Sequence, residues 1–171
     1  METKKPQIIT DRLVLKSITD NDFEDMILIV KDPLVSKTYL IPDLSTPEQE
    51  QILFSRLKNI CESDKHFAYG IFLNNKIIGL INSVVIEDKS IEMGYFIKSS
   101  LWNNGYATEA LRAVIAELFR IGFDTIICSH FEENTASGKV MLKCGMKVID
   151  RTETLEYRGV EHNLLYYEIN R

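Results

Sequence analysis

The sequence predicts an α+β fold, with about four helices around one mixed, mostly antiparallel central sheet. Three observations predict it. Three β-rich runs follow one another between Phe67 and Ile97, a helical period from Gly105 to Arg120 returns into an apolar strand, and two more strand-like runs close the chain. With 171 residues, 45% of them hydrophobic and 26% charged, the chain can bury one continuous core, and it holds no internal repeat or low-complexity segment. The expectation is one domain over residues 1–171.

Taken in order, Leu13-Val14-Leu15-Lys16 reads as a first strand, and Thr19-Asp20-Asn21-Asp22 offers capping oxygens ahead of the helically spaced Phe23, Met26, Ile27 and Val30. Pro33 and Pro42 bracket a stretch without clear period. Ser45 or Thr46 then caps a second helix, whose first turn accommodates Pro47 and whose apolar face is Ile52, Leu53, Leu57 and Ile60. The runs Phe67 to Leu73, Lys76 to Ile86 and Ser90 to Ile97 form an antiparallel meander, turning at Asn74-Asn75 and at Glu87-Asp88-Lys89. In the next helix Ala107, Leu111, Val114, Ile115 and Leu118 share a face, Gly122 stands at the C-terminal cap, and Thr125 to Cys128 returns as a buried strand, which implies a parallel crossover. A short helix, Asn134 to Lys143, ends at Gly145; the last strands, Lys147 to Tyr157 and Leu164 to Ile169, meet near Arg158-Gly159.

Composition narrows the function classes. No apolar run approaches the roughly 18 to 20 residues of a membrane span, and Met1 to Gln7 is polar, so the expectation is a cytoplasmic protein without a membrane partner. The net charge of −5, with basic residues interspersed among acids, argues against a nucleic-acid partner and suits a cationic substrate. Cys61, Cys128 and Cys144 are odd in number and widely spaced, so they read as buried thiols, and His66, His130 and His162 share no ligand spacing; no metal is expected.

The segment that carries chemistry runs from Ile91-Glu92-Met93-Gly94-Tyr95-Phe96-Ile97 through Lys98 to Leu101 into Trp102-Asn103-Asn104-Gly105-Tyr106-Ala107-Thr108-Glu109-Ala110. It reads strand, loop, helix. Gly105 and Ala107 are small residues where loop becomes helix, so backbone N–H groups can close on an anion that the helix dipole also favours. A glycine there also serves as a plain turn device. Neither GxxxxGK[ST] nor a GxGxxG after an early strand is present, which counts against the two commoner phosphate loops.

Trp102-x-x-Gly105-x-Ala107 resembles the coenzyme loop R/Q-x-x-G-x-G/A of the GNAT superfamily of N-acetyltransferases, and tryptophan at its first position resembles the RimJ/RimL-type branch that contains the ribosomal-protein N-acetyltransferases. Thr10-Asp11-Arg12-Leu13-Val14-Leu15-Lys16 resembles that branch's opening strand. Asn134-x-x-Ser137 through Lys143-Cys144-Gly145-Met146 resembles its final helix and turn. The resemblance implies a GNAT-like sheet whose middle strands, Ser90 to Ile97 and Thr125 to Cys128, splay apart, with acetyl-CoA as cosubstrate and an amine as acceptor. Its pantetheine arm would bond Phe96 and Ile97, its pyrophosphate would lie on Asn103 to Thr108 behind Trp102, and Asn134 would bond the arm, although an asparagine before a helix also serves as an N-cap.

Amine attack needs a base, because an α-amino group titrates near ~8 and a lysine near ~10.4. Glu92 matches the family's strand glutamate and by alternation shares a face with Gly94 and Phe96; a solvent-facing carboxylate is the plain alternative. A backbone N–H of the same strand would stabilise the oxyanion. The family's proton-donating tyrosine is matched by Met141, so protonation of the thiolate passes to Ser137 or to water. Cys144 has no histidine partner in sequence and is not read as a nucleophile, and His130 is expected as a loop residue just past its strand, with a base or substrate contact near the cleft mouth as the alternative. The function expected is acetyl transfer to a primary amine, a protein N-terminus or a small molecule, by direct attack on the thioester, in a monomer or homodimer. The alternatives are a catalytically silent acetyl-CoA-binding regulator and a nucleotide-binding protein that prefers ATP.

Overall fold

The computed structural model describes residues 5–171. A short hairpin of β1 (Ile8–Ile9) and β2 (Leu13–Lys16) leads to α1 (Phe23–Lys31), α2 (Pro33–Ser36) and α3 (Pro47–Glu62). Strands β3 (Ala68–Leu73), β4 (Lys76–Glu87) and β5 (Ser90–Ile97) follow, then α4 (Tyr106–Ile121), β6 (Thr125–Phe131), α5 (Thr135–Lys143), β7 (Lys147–Tyr157) and β8 (Val160–Asn170). The eight strands form one mixed sheet in the order β1-β2-β3-β4-β5-β6-β8-β7. Among the described residues there are five α-helices, the addition to expectation being α2, a single turn inside the stretch that showed no period. Its start is fixed by the Asp32 carboxylate, which accepts from the Leu34 amide at 2.9 Å, with Pro33 at the first helical position.

Two compact units make up these residues. One comprises the chain up to Asn82 together with Tyr95–Ala110, and the other comprises Ser83–Gly94 with Leu111–Arg171. In the first, β1 to β4 pair antiparallel in sequence order. Asn74 and Asn75 both take positive φ, 49° and 64°, which gives β3 and β4 the two-residue turn whose twist matches the strands. Met26, Ile29 and Val30 of α1 and Leu53, Phe54 and Leu57 of α3 are buried in one core with Ala68, Leu80 and Phe96. The buried face of α3 differs from expectation: Ile52 is 63% exposed, while Phe54 and Cys61 are buried. The Phe54 ring meets Phe23 edge-on at 5.1 Å, and that aromatic contact fixes the rotation of the helix.

In the second unit β5 and β6 pair in parallel from Ser90↔Thr125 to Met93↔Cys128, half the length of β5. Strand β6 continues antiparallel beside β8 as far as Phe131↔Leu164, three residues beyond its expected end. This corrects the reading of His130 as a loop residue: it lies inside the strand, 6% exposed. Strand β8 likewise begins at Val160 rather than Leu164, because Arg158 and Gly159 (φ 53° and 75°) make a two-residue turn that lets pairing run up to Tyr157↔Val160. Helices α4 and α5 close with the same device. At Gly122 the amides of Gly122 and Phe123 reach the carbonyls of Phe119 and Leu118, at Gly145 those of Gly145 and Met146 reach Leu142 and Met141, and both glycines have positive φ.

Candidate active site

The loop between β5 and α4 is held at both ends by its own unit. Trp102 donates its indole N–H to the Ile97 carbonyl at 2.7 Å, folding the loop back on the strand it has just left. Asn104 donates its side-chain amide to the carbonyls of Leu101 and Trp102, each at 3.0 Å. Positive φ at Asn103 (62°) and Gly105 (80°) coils the backbone immediately before α4, an arrangement in which successive N–H groups converge. Asn103 and Gly105 both belong to the loop expected to hold the pyrophosphate; the positive φ at Asn103 is what the sequence reading did not include, and asparagine tolerates that left-handed region better than most residues.

Arg12 and Glu109 complete the loop's framework. The Arg12 guanidinium donates to the Asn104 carbonyl at 2.9 Å, to Glu109 Oε2 at 2.7 Å, and lies over the Tyr106 ring at 4.5 Å. Burial alone would raise the Glu109 carboxyl, but bonds from the Thr10 hydroxyl and from the Arg12 amide and guanidinium hold it below the usual carboxylate range. Tyr106, Ala107 and Thr108 form the first turn of α4 and are half-buried.

Phe96 and Ile97 are buried at 4% and 5% exposure. The Phe96 ring sits in the first unit's core, edge-on to Tyr39 at 4.9 Å. Its carbonyl lies directly against the Cα of Gly79, where any added Cβ would collide with it, and the Ile97 carbonyl is taken by Trp102. The Ile97 carbonyl is thus engaged within the fold.

Glu92 lies in the second unit, half-buried and opposite Ile127 in the parallel register. Ser129 donates its hydroxyl to Glu92 Oε1 at 3.1 Å. Burial pushes the Glu92 carboxyl above its ordinary range, against the opposing pull of the Ser129 bond and the Arg151 charge, while Glu153 adds to the rise. Tyr166, which faces Ser129 in the β6–β8 register, donates its hydroxyl to Glu153 at 3.0 Å, and Arg151 lies over its ring at 3.9 Å while bonding Glu153. Burial, that bond and the Glu92 charge push the Tyr166 phenol up to about 12. Ser129, Arg151, Glu153 and Tyr166 carry no local signature; only the strand register, set across β6, β7 and β8, brings them together.

Asn134 stands at the N-cap of α5, but its side-chain amide donates to Ser137 Oγ at 2.9 Å instead of capping. Met141 is buried. Behind α5, His130 and Tyr167 pack against Gly138, whose Cβ position is only 2.8 Å from His130 Nε2 and 2.9 Å from the Tyr167 hydroxyl. His130 Nδ1 is 2.6 Å from the Phe131 carbonyl, which only accepts, so Nδ1 donates there, and Nε2 lies 3.3 Å from the Tyr167 hydroxyl. Cys61, Cys128 and Cys144 are all buried, and burial raises each thiol, Cys61 and Cys144 to about 11.

The family described as Acetyltransferase (GNAT) domain matches residues 12–147. An uncharacterized N-acetyltransferase, YoaA, of Bacillus subtilis (strain 168) is 27% identical over 147 residues, 83% of each chain. Among solved structures, the RimL ribosomal L7/L12 alpha-N-protein acetyltransferase in complex with coenzyme A superposes with a TM-score of 0.79 at 21% identity, covering 96% of this chain and 98% of that one. The microcin C7 self-immunity acetyltransferase MccE, in complex with acetyl-CoA and AMP, superposes at 0.82 and 17% identity over 95% and 94% of the two chains.

Proposed function

Because the chain belongs to the Acetyltransferase (GNAT) domain family, we propose that it transfers the acetyl group of acetyl-CoA to a primary amine. The observation that carries this reading is the coiled backbone at Asn103 and Gly105 ahead of α4, which suits a pyrophosphate: it has a helix N-terminus, converging N–H groups and no Cβ at Gly105. Trp102 and Asn104 hold that cradle in shape, and the pantetheine arm runs along Phe96 and Ile97, past the last residue that β5 pairs with β6.

The chemistry assigned to the chain follows. The amine nitrogen bonds the thioester carbonyl carbon, the C–S bond breaks, and the nitrogen's proton leaves to Glu92, directly or through water. Raised by burial, Glu92 is the better matched to take a proton near neutrality. The departing thiolate is protonated by Ser137 or by water, since Met141 offers no proton. The likeness to RimL supports a protein N-terminus as acceptor, one arm of the acceptor panel, and a small-molecule amine is the other.

The test is calorimetric titration with acetyl-CoA and, separately, ATP, then thiol release against peptide N-termini and small amines. Saturable acetyl-CoA binding with amine-dependent thiol release is the expected result. No binding overturns the reading, preference for ATP favours a nucleotide-binding protein, and binding without release by any amine favours a silent coenzyme-binding regulator, which the buried Met141 side chain also favours.

A further inference from the structure

An acid in the first turn of α4 is out of place if that helix start receives a pyrophosphate, because Glu109 would repel the ligand that the dipole attracts. The surroundings of Glu109 answer the difficulty. Oε1 accepts from the Thr10 hydroxyl at 2.6 Å and the Arg12 amide at 2.9 Å, and Oε2 accepts from Arg12 Nε at 2.7 Å. Thr10 in turn is fixed by the Leu13 amide, which donates to its oxygen at 2.9 Å, and its single proton goes to the shorter contact, Glu109. The Arg12 guanidinium, anchored on one edge by the carboxylate, spends another N–H on the Asn104 carbonyl, stacks on Tyr106, and stands 3.4 Å from where a Cβ on Gly105 would lie.

Apart from the local Leu13–Thr10 bond, every bond in this set joins the segment before β2 to the cradle or to the first turn of α4. The two segments lie 97 residues apart in sequence between Arg12 and Glu109. We propose that Thr10, Arg12 and Glu109 form a clasp that positions the Asn103–Tyr106 backbone for the coenzyme's pyrophosphate, with Glu109 neutralised by Arg12 so that its charge does not oppose the ligand. The proposal rests on the acetyl-CoA reading and adds residues to it that the cradle's own sequence does not contain. None of the three is assigned to the reacting atoms; they act through the loop.

The two roles open to Glu109 predict opposite signs. A free first-turn acid replaced by the neutral amide strengthens anion binding, because repulsion is lost. A clasp carboxylate replaced by Gln weakens it, because whichever way the amide turns its N–H₂ meets a donor of Arg12, backbone N–H or guanidinium, and the charge that holds the guanidinium beside Asn104 is lost. The experiment is titration of wild type, Glu109→Gln, Thr10→Val and Thr10→Ser with coenzyme A, with thermal melts of the ligand-free proteins and steady-state kinetics. Expected are an approximately tenfold weaker Kd for Glu109→Gln and several-fold for Thr10→Val, as about one charged hydrogen bond each implies, with Thr10→Ser close to wild type. The loss falls on the coenzyme KM, with kcat at saturating coenzyme held within about twofold.

Equal or tighter binding by Glu109→Gln together with unchanged binding by Thr10→Val overturns the clasp while leaving the acetyl-CoA reading intact. Failure of the wild type to bind coenzyme A overturns both. Should Glu109→Gln lose its melting transition, Thr10→Val, which changes no charge, decides alone.

Discussion

Ser129 spends its hydroxyl proton on Glu92, and that bond opposes the burial that raises the carboxyl. In the role proposed for it, a base that works deprotonated, Glu92 is expected to make kcat/KM fall on the acid side as pH drops through its pKa, and a raised pKa places that fall above the ordinary ~4.3. Ser129→Ala removes the group that lowers it, so the acid limb moves to higher pH. Glu92→Gln abolishes the limb and lowers kcat by about 10²–10⁴-fold; a pH–rate profile of the three proteins checks both. Stability runs the other way. A carboxyl whose folded pKa lies above its unfolded value favours the fold below the unfolded pKa and loses that contribution as pH rises through the folded pKa, so at neutral pH the charged Glu92 is a burden. Glu92→Gln is expected to melt at the same or higher temperature at pH 7, with activity lost.

Gly138 inside α5 and Gly122 at the end of α4 separate steric from conformational reasons for glycine. At Gly138 an added Cβ would lie 2.8 Å from His130 Nε2 and 2.9 Å from the Tyr167 hydroxyl, so Gly138→Ala forces α5 off the sheet at a cost of about 1–3 kcal/mol. At Gly122 no atom lies within 4 Å of the added Cβ, yet φ is +109°, so Gly122→Ala costs about 1–2 kcal/mol through backbone strain alone. Denaturant melts measure both, and chemical shifts of the His130 ring move only in Gly138→Ala. Gly122, Gly145 and the Asn74-Asn75 and Arg158-Gly159 turns were legible in the sequence because the reason for each lies within a few neighbouring residues. The face of α3 and the strand position of His130 were not. Phe54 is turned inward by Phe23, and β6 is prolonged by Leu164 to Tyr166, partners far away in the chain.

Across the whole molecule the same division holds for the candidate site. The coenzyme loop is contiguous from Ile97 to Glu109 and could be read as a motif, whereas the surroundings of Glu92 draw on residues 129, 151, 153 and 166, and the clasp on residues 10 and 12. The three cysteines, all buried and all with raised thiol pKa, are expected to resist a thiol reagent in the native protein and to react fully, three equivalents, in denaturant. Coenzyme thiol release can then be followed without background from the enzyme. The chain has a single tryptophan, and it is Trp102, partly exposed at 37% and tied by its indole N–H to the end of β5. Light absorbed selectively by indole is therefore re-emitted from the cradle and nowhere else, so the unlabelled protein carries its own fluorophore at the place where the coenzyme is expected, and a stopped-flow trace of its emission times the loop's encounter with ligand.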